Sequence, residues 1–285
     1  MDIRVLGSLR VANDGRLVDI KRRRERCLLG VLLLEANRGV PLDRLLELLW
    51  DGAPPSNARA SLRTHISRLR SSLRQCDGGI VLSRTGDGYA AQLDATAVDA
   101  WRFRIFVDEA RVARNLGERA HLLRSALAQW RGPVLGDAAS AMVRARIGAP
   151  WEEARLSVVE AVIDADLARG HHSNVIGELT ALGAEHPYHE RFASQLMVAL
   201  YRCGRQADAL EVFNRLDRRL RDDVGIGAGQ DIAALHQRIL RSEATLSGVP
   251  TVPAWPAVED PGGGTWSADP GGPSVGRADR HRGRA

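Results

Sequence analysis

The segment SNARASLRTHISRLRSSLR, residues 56–74, decides how the rest of the chain is read. Leu62, Ile66, Leu69 and Leu73 recur at i, i+4, i+7 and i+11, which on an α-helix forms one narrow apolar stripe that must face a core. Ser56 or Asn57 supplies the N-cap. Asn57, Thr64, Ser67, Arg68 and Ser71 point away from the stripe, and Arg59, Arg63, Arg70 and Arg74 run along one flank. The segment holds five arginines and neither Asp nor Glu. A solvated helix usually mixes signs to gain i,i+4 pairs, whereas an all-basic one repels itself unless an anion faces it. Guanidinium groups grip phosphates or read guanine O6 and N7, and short hydroxyl side chains let the backbone approach base edges. The pattern points to DNA; a plain solvated basic face is the alternative.

The flanking sequence frames this helix. Ile3, Val5 and Leu9–Val11 alternate around Gly7, and Asp14-Gly15 supplies a turn before Leu17-Val18, so a small antiparallel sheet is expected. A helix follows with Cys27, Leu28, Val31, Leu32 and Leu34 on its apolar side, ending at Asn37-Arg38-Gly39. A shorter helix begins after Pro41, and Asp51-Gly52-Ala53-Pro54-Pro55 forms the loop into residues 56–74. Beyond Asp77-Gly78-Gly79, Ile80–Leu82 and Tyr89–Leu93 flank Thr85-Gly86-Asp87-Gly88 as a β-hairpin. A helix followed by a Gly-rich hairpin bearing Arg84 and Thr85 is the layout of a winged helix, although such a hairpin can also simply close a domain. The basic run Lys21-Arg22-Arg23-Arg24 with Arg26 either meets phosphates or forms an exposed first turn.

Composition sets outer limits. The 285 residues suffice for two ordinary domains, and 44% hydrophobic with 26% charged residues matches a soluble globular chain. The net charge of +5 is compatible with a polyanionic partner. Lys21 is the only lysine, so the abundance of Arg reflects a general bias and only its position carries weight. Cys27, Cys76 and Cys203 lack metal or disulfide spacing and read as free thiols in a reducing compartment. With no signal segment, and no apolar run near the roughly 20 residues that span a bilayer, a cytoplasmic protein without membrane contact is expected.

From residue 98 to 245 the pattern is helical. Gly170 and Gly204 lie 34 residues apart, the tetratricopeptide period. The same offset relates Val162 to Leu196, Ala165 to Ala199, Leu167 to Tyr201, Ile176 to Leu210 and Leu182 to Leu216. An earlier copy is indicated around Gly117. Stacked helix pairs of this kind bury a continuous core and leave a concave surface for a partner. Residues 246–285 turn to Pro, Gly and Ser and are expected to be disordered. The fold class is therefore mainly α with a small β component: a winged helix-turn-helix domain at 1–95, then a tetratricopeptide-like all-α domain at 98–245.

The order of elements resembles the winged-helix output domain of OmpR-type response regulators. Thr64-His65-Ile66-Ser67-Arg68-Leu69-Arg70 is similar to that group's recognition-helix core, and Gly86-Asp87-Gly88-Tyr89 to its wing. Further segments sharpen the resemblance to the Streptomyces antibiotic regulatory protein family, which joins such a domain to a bacterial transcriptional activation domain. They include Ile3–Gly7, Cys27–Leu34, Trp130-Arg131-Gly132-Pro133, Glu185-His186-Pro187, Leu196–Leu210 and Leu220–Ile226. The resemblance implies activation of an antibiotic gene cluster by binding direct repeats in double-stranded promoter DNA, as a homodimer or as paired monomers. It further implies recruitment of RNA polymerase through its sigma factor. It places DNA contacts on Arg63, Thr64, His65, Ser67, Arg68 and Ser71, with Arg84 and Thr85 in the wing; Arg59, on the basic flank, completes the expected set. Neither a receiver domain nor a Gly-Lys-Ser/Thr nucleotide loop is recognisable, which fits a minimal two-domain form without cofactor.

Other residues read plainly. His171-His172 lacks ligand spacing and belongs to a helix-connecting turn, Glu185-His186 to a helix end, and Trp101, Trp130 and Trp151 to helix packing. Ser140 and Ser157 lack a nucleophile-elbow context, so neither metal nor catalytic chemistry is expected. The competing function is a tetratricopeptide-type adaptor whose winged helix does not bind DNA.

Overall fold

The computed structural model describes residues 1–74 and 79–246. The tail expected to be disordered lies, from residue 247 onward, outside the described residues, as does Cys76. No helix among the described residues is long and apolar enough to cross a membrane.

The chain opens with β1 (Asp2–Arg4), β2 (Arg10–Asn13) and β3 (Arg16–Leu17), an antiparallel sheet in that order. Asp14 and Gly15 both take left-handed φ, 50° and 78°, in the two-residue turn between β2 and β3. Next come α1 (Arg23–Leu34), β4 (Val40–Pro41), α2 (Leu42–Leu49) and α3 (Ala58–Leu73). The hairpin β5 (Val81–Thr85) and β6 (Gly88–Gln92) follows, and the second sheet has the order β4-β6-β5. The sequence treated Pro41 only as a lead-in to α2. In the structure Val40 and Pro41 pair with Tyr89 and Gly88, so the wing is anchored to the segment before α2. This pairing requires glycine at 88, because a Cβ there would stand 2.0 Å from the Val40 carbonyl oxygen.

The helical part comprises α4 (Asp99–Arg111), α5 (Leu116–Leu127), the single turn α6 (Ala141–Val143) and α7 (Ala149–Ala168). It continues through α8 (His172–Glu185), α9 (Glu190–Arg202), α10 (Gln206–Asp223) and α11 (Gln230–Leu240). A π turn at Arg144–Gly148 joins α6 to α7. The 34-residue period appears as repeated capping. Gly170 and Gly204, at φ of 83° and 75°, end α7 and α9. His171 N–H donates to the Asp166 carbonyl and Arg205 N–H to the Leu200 carbonyl, each at 2.9 Å and each spanning five residues. The pair α4–α5 also packs face to face, but Gly117 lies in the first turn of α5, which Asn115 caps through the Glu118 N–H at 2.9 Å. The earlier copy therefore has the helices without the glycine turn.

One continuous apolar core runs from Ile3 through α1, α2, α3 and the hairpin into α4, α5 and α7. Asp99, wholly buried at the start of α4, accepts the N–H groups of Val5 (2.8 Å) and Leu6 (3.2 Å). Trp101 Nε1 donates to the Leu33 carbonyl at 3.2 Å. Residues 130–148, between α5 and α7, return to the N-terminal part. Arg131 N–H donates to the Leu6 carbonyl (2.8 Å) and Leu135 N–H to the Val5 carbonyl (2.9 Å). The fully buried Leu135 side chain lies against Gly30 of α1, where no larger residue leaves it room.

Candidate nucleic-acid interface

The loop before α3 turns through Asp51 and Gly52, both with positive φ, and Pro54-Pro55 prevent α2 from continuing into it. Asn57 is the N-cap residue of α3, but its side chain makes no capping hydrogen bond. Ala58, Leu62, Ile66, Leu69 and Leu73 are buried against the core, as the stripe requires. Arg59, Arg63, Thr64, Ser67, Arg68, Ser71 and Arg74 are exposed together on the opposite side.

The surroundings of these groups differ. Arg59 lies 3.2 Å from Asp43, with both side chains largely exposed, an arrangement of little energetic weight. Among the described residues Arg63 and Arg74 have no acidic partner within ion-pair distance. Thr64 Oγ1 donates to the Ala60 carbonyl at 3.2 Å and keeps its lone pairs outward. Arg70 turns back, its Nε donating to the Leu82 carbonyl at 3.0 Å, and so straps β5 of the wing to α3. His65 points inward beside Trp50, with ring centroids 6.4 Å apart, and its Nδ1 lies 3.4 Å from Glu25 Oε1. In the hairpin Arg84 is exposed, whereas Thr85 is half-buried with its Oγ1 facing Gly39. The structure thus groups seven of the nine expected residues on outward surface and turns His65 and Thr85 towards the interior.

The basic run before α1 divides in a way its sequence does not reveal. Arg23 donates from Nε and Nη2 to the carbonyls of Ala138 and Ala139, at 3.2 and 2.8 Å, and Arg26 pairs with Asp137. Both tie α1 to the returning segment. Arg24 lies over the Trp50 ring, 5.4 Å from its centroid, at an open cleft that also reaches His65. No adjacent sequence signal pairs Arg23 with residues 115 positions away; the packing of Leu135 on Gly30 and the backbone bonds to Val5 and Leu6 bring that segment there. Burial pushes the Cys27 thiol up to about 11, so it stays protonated and unreactive. Among the described residues no His, Cys, Asp and Glu cluster is arranged to hold a metal ion.

Two family models match the chain. Residues 19–91 match the C-terminal domain of transcriptional regulatory proteins, and residues 98–240 match the bacterial transcriptional activator domain. The regulatory protein DnrI of Streptomyces peucetius is 34% identical over 268 residues, covering 89% of this chain and 97% of DnrI. The chain belongs to the Streptomyces antibiotic regulatory protein family. The family's regulatory protein AfsR, from Streptomyces coelicolor, is 39% identical over 250 residues, 85% of this chain but 24% of AfsR. The chain thus spans about a quarter of that longer relative. The solved structure of Mycobacterium tuberculosis EmbR, in complex with a low-affinity phosphopeptide, superposes with a TM-score of 0.77 at 36% identity. That match covers 85% of this chain and 65% of EmbR's. This chain's two-part fold is thus shared with the EmbR structure, and the relatives it matches are named as regulatory proteins and transcriptional regulators.

Proposed function

We propose that this chain is a sequence-specific DNA-binding activator of an antibiotic gene cluster, acting in the cytoplasm. α3 lies in a major groove and the hairpin touches the adjacent backbone. One observation carries the reading. The exposed side of α3 is acid-free and, among the described residues, pairs with no group of the helical part, so its positive charge faces solvent where a duplex can dock. Arg63 and Arg68 are assigned to base edges. Arg59 and Arg84 meet phosphates, and Thr64, Ser67 and Ser71 permit close approach. His65 and Thr85 support this surface from within. Residues 1–95 read DNA, as a homodimer or as paired monomers on direct repeats, and residues 98–245 engage RNA polymerase and its sigma factor.

The test is protection mapping on DNA flanking the protein's own gene, followed by affinity measurements on the protected fragment. Affinity falls steeply with salt, with a log–log slope of roughly 0.9 per phosphate contacted. Arg68→Ala weakens binding to that fragment by about 1–3 kcal/mol and changes binding to unrelated DNA far less. An equal loss on both would reduce Arg68 to a phosphate contact, and full affinity after removing every arginine from 59 to 74 would refute the groove assignment.

A further inference from the structure

Glu25 is the one buried acid among the described residues of the winged-helix part. It lies in the first turn of α1, and three basic groups converge on its Oε1. Arg22 Nη1 stands at 3.4 Å, His65 Nδ1 at 3.4 Å and Arg68 Nη1 at 3.7 Å. His65 and Arg68 are three residues apart on α3 and therefore share the side that leans towards α1. A carboxylate this enclosed is tolerated only with cationic partners, and these partners include the arginine best placed to leave the protein surface. The Arg68 side chain remains about half exposed.

We propose that Glu25 is a positioning residue for base reading, an inference that rests on α3 being the reading helix. A guanidinium carries five donors in a rigid planar fork. Glu25 draws Arg68 Nη1 from below as an ion pair at 3.7 Å and leaves the donors of the fork for the two acceptors of a base. Held this way, Arg68 loses less side-chain freedom when it docks. The carboxylate also offsets part of the Arg68 charge, which weakens attraction to any phosphate while leaving a two-pronged base contact intact. Glu25 therefore favours discrimination over general affinity, and His65 fills the space beside it.

The experiment selects duplexes from a randomised pool with the full chain and with its E25Q, E25A and R68A variants. Affinities are then measured at fixed salt on the selected duplex and on an unrelated duplex of equal length. E25Q and E25A are expected to lose base preference at the step that R68A loses, with discrimination falling about tenfold. Binding to the unrelated duplex stays equal or tightens, because a negative charge has left the interface. The E25A/R68A double variant loses no more discrimination than R68A. A purely structural role for Glu25 would instead weaken binding to both duplexes alike and would overturn the proposal, as would unchanged discrimination in E25Q and E25A. Should E25A fail to fold, the near-isosteric E25Q decides. If the unaltered protein enriches no sequence, the DNA-reading function itself fails and the assignment of Glu25 falls with it.

Discussion

Asp99 shows how much one side chain can hold. Its carboxylate is fully buried and accepts two backbone N–H groups of the strand-to-loop segment at Val5 and Leu6. Burial pushes its pKa up, and the hydrogen bonds from Val5 and Leu6 pull the other way. Asp99→Ala strands both donors in the core, each costing about 1–3 kcal/mol, so denaturant unfolding is expected to show a loss of about 2–6 kcal/mol. Asp99→Asn keeps an acceptor oxygen and is expected to lose clearly less; equal losses would mean that the charge, and not the acceptor, matters. At this scale the sequence was informative about residue type and silent about direction. The α3 arginines were visible as a set, but nothing in the string distinguishes Arg70, bonded back to the wing, from Arg63, which faces solvent. His65 sits inside the recognition motif, yet its ring turns towards Trp50 and Glu25.

Among the elements, α3, the wing and the paired helices α7–α8 and α9–α10 were legible because local periodicity and turn chemistry specify them. The short strand β4 was not, since it depends on Gly88 and Tyr89, distant in sequence; nor was the absence of a capping bond from Asn57. The corner between α8 and α9 carries a pH-sensitive contact that periodicity also hides. His189 Nε2 lies 3.3 Å from Glu160 Oε1 of α7. Burial raises the Glu160 pKa to about 7; Asp164 and Glu153 add to this and Arg191 opposes it. Burial likewise lowers the pKa of His189. With its folded pKa above the unfolded 4.5, Glu160 binds protons preferentially in the folded state. Its contribution to stability therefore falls as pH rises from about 4.5 to about 7. Glu160→Gln should melt like the parent at the acid end of that window and above it at the alkaline end. The effect is modest, because the site is partly open to solvent. A melting difference that stays constant across the window would contradict this.

For the whole molecule, the core that α3 shares with α4, α5 and α7, and the second apolar cluster through which α7 holds α8 and α9, lead us to expect that these elements unfold together. The sequence pattern changes near residue 95, yet Asp99 and Leu135 bind the helical part to Val5 and Leu6 after β1, and Trp101 binds it to α1. Helix-sensitive and tryptophan-sensitive probes should therefore trace coincident unfolding curves; two separated transitions would show that the parts are only loosely joined. Under the proposed function, this shared core would hold α4, α5 and α7 in a fixed orientation relative to a duplex on α3.

The amino-acid sequence by itself determined the elements and the chemistry on offer. Apolar residues at helical spacing must be buried wherever the helix goes, and an arginine-rich, acid-free flank offers its charge to an anion or to solvent. Tertiary structure alone decided which arginines remain available. Arg23 and Arg26 bond residues 137–139 and Arg70 bonds the wing, because a guanidinium goes to the nearest acceptor that packing provides. Packing likewise placed Glu25 under α3 and joined two sequence-distinct parts through one core, since contacts between distant segments leave no periodic trace in either of them.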